Sequence, residues 1–315
     1  MRHATPWISM LLALSLALPQ NAAAQAIQKI RIGVPSVALT YMPFYVAQEK
    51  GFLKKSGIEA EYILMNTGIQ PQALINGNIN FFPSLSTGIS AAVAGLPVVS
   101  VLNFYTITPW MLVTNKSINK PQDLLGKKIA ISGIRNTGHY LLTAWYKKVE
   151  INEKDIGYVM TGGTAGSFAA LASDQVAGAV LTPPYDDKAV SKGFKKFILL
   201  GDLADIPTSG LVTSRAEIVN NRDRVQRTIA ACLDAIAWIR ANRSESATMI
   251  AEKFKITPTE ANGTYDTFLS TLNKDGRLPL KVARGYLDIL RQERPIPADV
   301  DPQKFMDFSM LPGGK

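Results

Sequence analysis

One cysteine, Cys232, and two histidines, His3 and His139, are all the thiol and imidazole that this 315-residue chain carries. An internal disulfide, a cysteine-built metal site and a histidine metal cluster are therefore excluded. Cys232 lies in an apolar helical stretch and reads as core. No Gly-x-Ser-x-Gly elbow is present, and the one acidic pair near a strand end, Asp186 and Asp187, reads as a helix cap. No catalytic residue, metal or cofactor is expected. The net charge of +9 comes without basic runs or interleaved surface aromatics, so nucleic acid is not an expected partner. Solenoid repeats, low-complexity segments and an apolar run long enough to span a bilayer are also missing.

What is present begins with an export signal. Arg2 precedes an apolar run over 7–18 and the small residues Ala22, Ala23 and Ala24, so residues 1–24 read as a signal peptide. With no cysteine near the cleavage point, a lipid anchor is not expected. The remaining chain, 47% hydrophobic overall, is long enough for two compact domains.

The stretch that organises the rest is 127–146, KKIAISGIRNTGHYLLTAWY. An apolar strand over 129–132 ends at Gly133. Leu141, Leu142, Trp145 and Tyr146 then recur at helical spacing behind Gly138. Glycines at both ends of the loop and the unpaired N–H groups of a helix start make an anion cradle, suited to a carboxylate, sulfonate or phosphate. The spacing also imitates a nucleotide-binding P-loop, but His139 and Tyr140 stand where Lys and Ser/Thr are needed.

A strand over 29–34, a helix from Pro43, strands over 59–64 and 79–82 and a helix over 70–75 set a βαβαβ rhythm. Ser84, Ser86 and Thr87 are placed to cap a helix over 88–94, and a strand follows over 97–102. Residues 103–109 read as a crossover. A second series has strands over 127–132, 156–161, 176–182 and 196–200, each ending on small or polar residues, before residues 206–210 cross back. A long amphipathic helix over 222–243 and proline-broken short helices complete the chain. The expected fold is α/β: a two-lobed clamshell, each lobe a mostly parallel sheet flanked by helices, with two hinge crossovers. Lobe 1 takes 25–105 with 209–315 and lobe 2 takes 106–208. Ligands bind outside the carboxyl ends of such strands.

Three segments carry a resemblance to a known family. Pro43-Phe-Tyr-Val-Ala-Gln-Glu-Lys-Gly51-Phe-Leu-Lys-Lys-Ser-Gly57-Ile58, Leu74-Ile-Asn-Gly-Asn-Ile-Asn-Phe81 and residues 176–193 with Pro184, Ala189 and Gly193 match in order and spacing. Asp123-Leu-Leu-Gly-Lys-Lys128 adds a fourth point. The chain up to about Asn242 resembles the exported, type II periplasmic substrate-binding proteins of ABC importers for nitrate, sulfonates, taurine and thiamine precursors. Asn80 and Ala177 stand where that family usually has aspartate, and Asp174 where glycine is common. The resemblance implies a periplasmic location, a small-molecule solute, and an inner-membrane permease and ATPase as partners. It also touches the yeast-type pyrimidine synthase of thiamine synthesis, whose cysteine cluster is missing here.

Expected solute contacts are Thr40, Tyr41, Ser84, Ser86 and Thr87 in lobe 1, and Arg135, Asn136, Thr137, His139, Gly163, Thr164, Pro184 and Tyr185 in lobe 2. Tyr105 and Thr208 lie in the crossovers. Arg135 offers a bidentate fork, and Tyr41, Tyr105, Tyr140 and Tyr185 offer flat walls. The expected solute is a small organic anion, a sulfonate or an aromatic or alkyl carboxylate. The alternatives are a thiamine-precursor pyrimidine, or an enzyme or sensory module on the same fold. Without a long exposed apolar stripe, a monomer is expected.

Overall fold

The structure, a computed structural model, describes residues 27–107, 110–201, 203 and 206–314. The expected signal peptide over 1–24 lies outside the described residues, as does the end of the first crossover at 108–109. Among the described residues no helix is long and apolar enough to cross a membrane.

The first part of the chain forms β1 (Gln28–Val34), α1 (Met42–Glu49), α2 (Phe52–Lys55), β2 (Ile58–Leu64), α3 (Gln70–Ile75), β3 (Phe82–Ser84), α4 (Leu85–Val93) and β4 (Val98–Asn103). After the crossover come β5 (Met111–Thr114), β6 (Lys128–Ile131), α5 (Thr137–Lys148), β7 (Gly157–Met160), α6 (Thr164–Ala172), β8 (Gly178–Leu181), α7 (Tyr185–Ser191) and β9 (Lys195–Leu199). The return leads into β10 (Ser209–Ser214), α8 (Arg215–Asn220), α9 (Arg222–Ala241), α10 (Arg243–Phe254), α11 (Pro258–Thr271) and α12 (Leu280–Arg291).

β1 pairs in parallel with β2, and a parallel bridge from Ile32 to Phe81 joins β1 to the approach to β3. β10 lies between β3 and β4, antiparallel to both. The order across this lobe is therefore β2-β1-β3-β10-β4. The other lobe is ordered β7-β6-β8-β5-β9, with β6 parallel to β7 and β8, and β5 antiparallel to β8 and β9. Both lobes follow one plan. Four strands run one way, and the fourth in the order, supplied by the chain just after it crosses over, runs back. This is the expected α/β, two-lobed arrangement. β4, β8 and β10 are buried along their whole length, as strands covered on both faces must be.

Three local expectations shift. The strand placed over 79–82 is paired as β3 two to three residues later, and α4 starts at Leu85, so Ser86 and Thr87 lie inside its first turn and only Ser84 sits at the cap position. The C-terminal prolines start helices as well as separating them: Pro258 opens the 14-residue α11 and Pro279 precedes the 12-residue α12. Proline is tolerated there because the first-turn N–H groups have no intrahelical acceptor to lose. Asp174 has φ +55, the left-handed conformation that explains the usual glycine at this position.

α12 braces the two lobes. Tyr286, Leu287 and Leu290 share one buried cluster with Ile89 on α4 and with Tyr140, Leu141 and Trp145 on α5. The Tyr286 hydroxyl donates to the Ser86 carbonyl at 3.0 Å, its ring meets that of Tyr140 edge-on at 5.4 Å, and the Tyr140 hydroxyl donates to Glu293 at 3.3 Å. Tyr286→Phe leaves the Ser86 carbonyl buried without that donor, so it is expected to lower unfolding free energy by about 1–3 kcal/mol. The urea midpoint would fall at unchanged slope, and an unchanged midpoint would show that this bond adds nothing to the brace.

Candidate functional site

The cleft lies where strand ends of the two lobes face each other. Its walls are the loop after β1 (Pro35, Ser36, Ala38, Thr40, Tyr41), the end of β3 (Ser84), the start of β10 (Thr208, Ser209) and Thr67. Opposite them stand Trp110 before β5, Ser132, Asn136 and Thr137 after β6, Gly162, Gly163 and Thr164 after β7, and Thr182 after β8. The space spans about 550 Å³ with its open mouth included. None of these residues is an acid, a base or a histidine.

Three helices start on this cleft. Ser84 occupies the cap position of α4, Asn136 that of α5 and Gly163 that of α6. Asn136 is in an extended conformation and its Oδ1 accepts from the His139 N–H at 3.1 Å, so one of the terminal N–H groups is satisfied inside the loop. Each terminus adds partial positive charge worth about 0.3–1 kcal/mol toward an anion. The Tyr41 phenol is pushed upward by burial and stays a neutral hydroxyl.

The lobes touch across the cleft. A Cβ built on Gly163 would come within 2.6 Å of Ser36 Cβ and Oγ, so only glycine allows this approach. Behind it, Ser86 Oγ lies 2.9 Å from Thr137 Oγ1, which donates to the Pro207 carbonyl at 3.3 Å.

Of the fifteen sequence-expected contacts, Thr40, Tyr41, Ser84, Asn136, Thr137, Gly163, Thr164 and Thr208 line the cleft. The others do not. Ser86 stands behind Thr137, and Thr87 behind Ser84, its Oγ1 at 2.8 Å from the Ser84 hydroxyl. Tyr105 is core, with its hydroxyl donating to the Leu39 carbonyl at 3.4 Å and its ring 5.7 Å from Phe268. Tyr185 packs between Phe168 and Phe254, following the cis bond that joins Pro183 to Pro184.

Arg135 and His139 need the plainest correction. Arg135 takes φ +59, which turns its side chain out of the cleft; the group is 70% exposed and its Nε lies 3.6 Å from Glu293. His139 is buried with Nδ1 accepting the Arg135 N–H at 3.3 Å and Nε2 lying 2.9 Å from Glu153. Both hold the loop from behind. Gly138 serves a neighbour: a Cβ there would lie 2.9 Å from Trp110 Cζ3, so the glycine seats the indole against α5. Tyr140 faces α12, and the aromatic walls of the cleft are Tyr41 and Trp110.

Sequence reasoning passed over Trp110, Ser132, Thr182 and Ser209. Ser132 and Thr182 are strand-terminal polar residues, one turn before the loop residues that sequence favoured. Trp110 comes just before β5 and Ser209 opens β10; both strands run against their sheets, a reversal that the sequence pattern does not mark.

A two-lobed α/β fold with a cleft between facing strand ends is that of the periplasmic binding proteins. The family model described as NMT1/THI5 like matches residues 39–246, and the chain belongs to that family. It is 26% identical over 246 residues to the riboflavin-binding protein RibY of Chloroflexus aurantiacus, covering 73% of this chain and 68% of that protein. The alkanesulfonate-binding protein SsuA of Xanthomonas axonopodis pv. citri, solved with MOPS bound, superposes with TM-score 0.74 at 18% identity, covering 90% of this chain and 99% of that one. The nitrate-binding protein NrtA of Synechocystis PCC 6803 superposes with TM-score 0.70 at 15% identity, covering 91% and 87%.

Gly163→Ala is expected to disfavour the touching arrangement by about 1–3 kcal/mol. Small-angle X-ray scattering should report a larger radius of gyration than for the unaltered protein. Identical curves would mean that the Ser36 and Gly163 loops are already apart in solution.

Proposed function

We propose that this protein is the solute-binding component of an ABC importer, exported to the periplasm, where as a monomer it captures a small organic anion between its lobes and hands it to a membrane permease driven by an ATPase. The lobes are 25–105 with 209–315, and 106–208. The solute is a sulfonate or an aromatic or alkyl carboxylate. The observation that carries this reading is the meeting of three helix N-termini, those of α4, α5 and α6, on one uncharged cleft. Thr40, Tyr41, Ser84, Thr137, Thr164 and Thr208 supply hydroxyls around the bound group. Among the described residues the lining has no carboxylate to pair an ammonium, which favours a simple alkanesulfonate over taurine. Nor does it offer a charged acid or base of the kind most turnover chemistry uses, which supports capture over catalysis.

A second reading is a neutral ring, a thiamine-precursor pyrimidine or a flavin. The similarity to RibY and the lack of a cationic side chain among the described cleft residues favour it. A thermal-shift panel of alkanesulfonates, taurine, nitrate, aromatic carboxylates, pyrimidines and riboflavin separates the two. A true ligand at a hundred times its Kd adds about 2.7 kcal/mol of stability. Stabilisation by sulfonates or carboxylates, retained within about twofold affinity in Arg135→Ala, supports the anion reading, because Arg135 faces Glu293 and not the cleft. A shift with pyrimidines or riboflavin alone replaces the anion with the ring. Loss of solute uptake on gene deletion separates importer from sensor.

A further inference from the structure

Three buried polar atoms on the cleft have no bonding partner among the described residues: Trp110 Nε1, Thr182 Oγ1 and Ser209 Oγ. Thr182 and Ser209 are 2% and 3% exposed. An orphaned buried donor forfeits its hydration without a replacement bond, so a group of them on one cavity calls for a functional cause. They come from both lobes. Trp110 and Thr182 stand opposite each other one step beyond the Met111–Leu181 pair of β5 and β8, while Ser209 pairs with Ser84 across β10 and β3. The Cε3–Cζ3 edge of Trp110 rests on Gly138, and Nε1 belongs to the opposite edge of the indole, away from α5. An indole N–H can only donate, and a hydroxyl without a neighbour is free to donate.

We propose that Trp110, Thr182 and Ser209 are solute contacts that donate to acceptor oxygens of the captured molecule, the first two from one lobe and the third from the other. This rests on the solute-capture reading above. The site therefore selects a solute carrying at least two acceptor oxygens, so placed that one is reached from each lobe; a group with a single acceptor leaves one lobe's donors unpaired when the cleft closes.

The test uses Trp110→Phe, Thr182→Val and Ser209→Ala, each close in shape to the original and each lacking the orphaned atom. Thermal unfolding of the solute-free proteins is compared with isothermal titration of butanesulfonate, benzoate and riboflavin. A structural polar atom and a solute contact give opposite patterns. The expected result is an unchanged or raised melting temperature with about tenfold weaker binding of whichever probe binds the unaltered protein. Unchanged affinity in all three variants overturns this inference and leaves solute capture intact. Weaker binding accompanied by a lowered melting temperature in every variant also overturns it, because the atoms would then be bonded within the protein. If no probe binds the unaltered protein, the capture reading fails for these solute classes and this inference fails with it.

Discussion

β5 and β10 each run against every other strand of the lobe that receives them, and the composition of the cleft follows from that reversal. Parallel strands present their carboxyl ends to one edge of the sheet, where the loops leading into α4, α5 and α6 lie. A reversed strand brings its amino end to the same edge. Trp110 and Ser209, one the residue before β5 and the other the first residue of β10, thereby join the helix starts. The crossovers also end there, so the segments on which the lobes would pivot are continuous with the cleft floor.

An uncharged lining has an energetic logic. A carboxylate or sulfonate loses several kcal/mol of hydration on entering a closed cleft, and helix termini at about 0.3–1 kcal/mol each do not replace it alone. Hydrogen bonds to a charged group, at about 1.5–3 kcal/mol each, make up the difference if several donors converge. Hydroxyls and backbone N–H groups suit this role because they remain neutral when the cleft is empty. A lysine or arginine in the same place would be a buried, unpaired charge whenever the lobes met without a solute. The contact of Ser36 with Gly163 shows that the lobes do meet with nothing charged between them.

Much of the fold was legible because its signals are local. Alternation and apolar runs located the strands to within a few residues, and glycine and proline marked the turns between them. The family resemblance ended near Asn242, close to the limit of the match at residue 246. Half the cleft was legible for the same reason: Ser84, Asn136 and Thr164 sit at strand-to-helix turns. The orientation of a side chain was not. Arg135 looked like an anion fork by residue type, yet it takes φ +59 with its own N–H bonded to His139, a residue four places on whose ring is held by Glu153. Tyr105, Tyr140 and Tyr185 looked like ring walls, and each is taken by a partner distant in sequence: Phe268, Tyr286 and Phe254.

The charged groups near the cleft stand one layer back. His139 accepts from Arg135 through Nδ1, so in its neutral form the proton is on Nε2 and is donated to Glu153, which also accepts from the Tyr158 hydroxyl. Arg135 then reaches Glu293, just beyond the last turn of α12, and the Tyr140 hydroxyl donates to the same Oε2. The loop that opens α5 is thus tied at one end to the turn before β7 and at the other to the helix that braces both lobes. A displacement of α12 along this chain would move the α5 terminus, and with it Thr137, whose hydroxyl bonds to Ser86 of α4 and to the Pro207 carbonyl in the return crossover. Charge orders the loop from outside, and the described residues left facing the cleft are neutral.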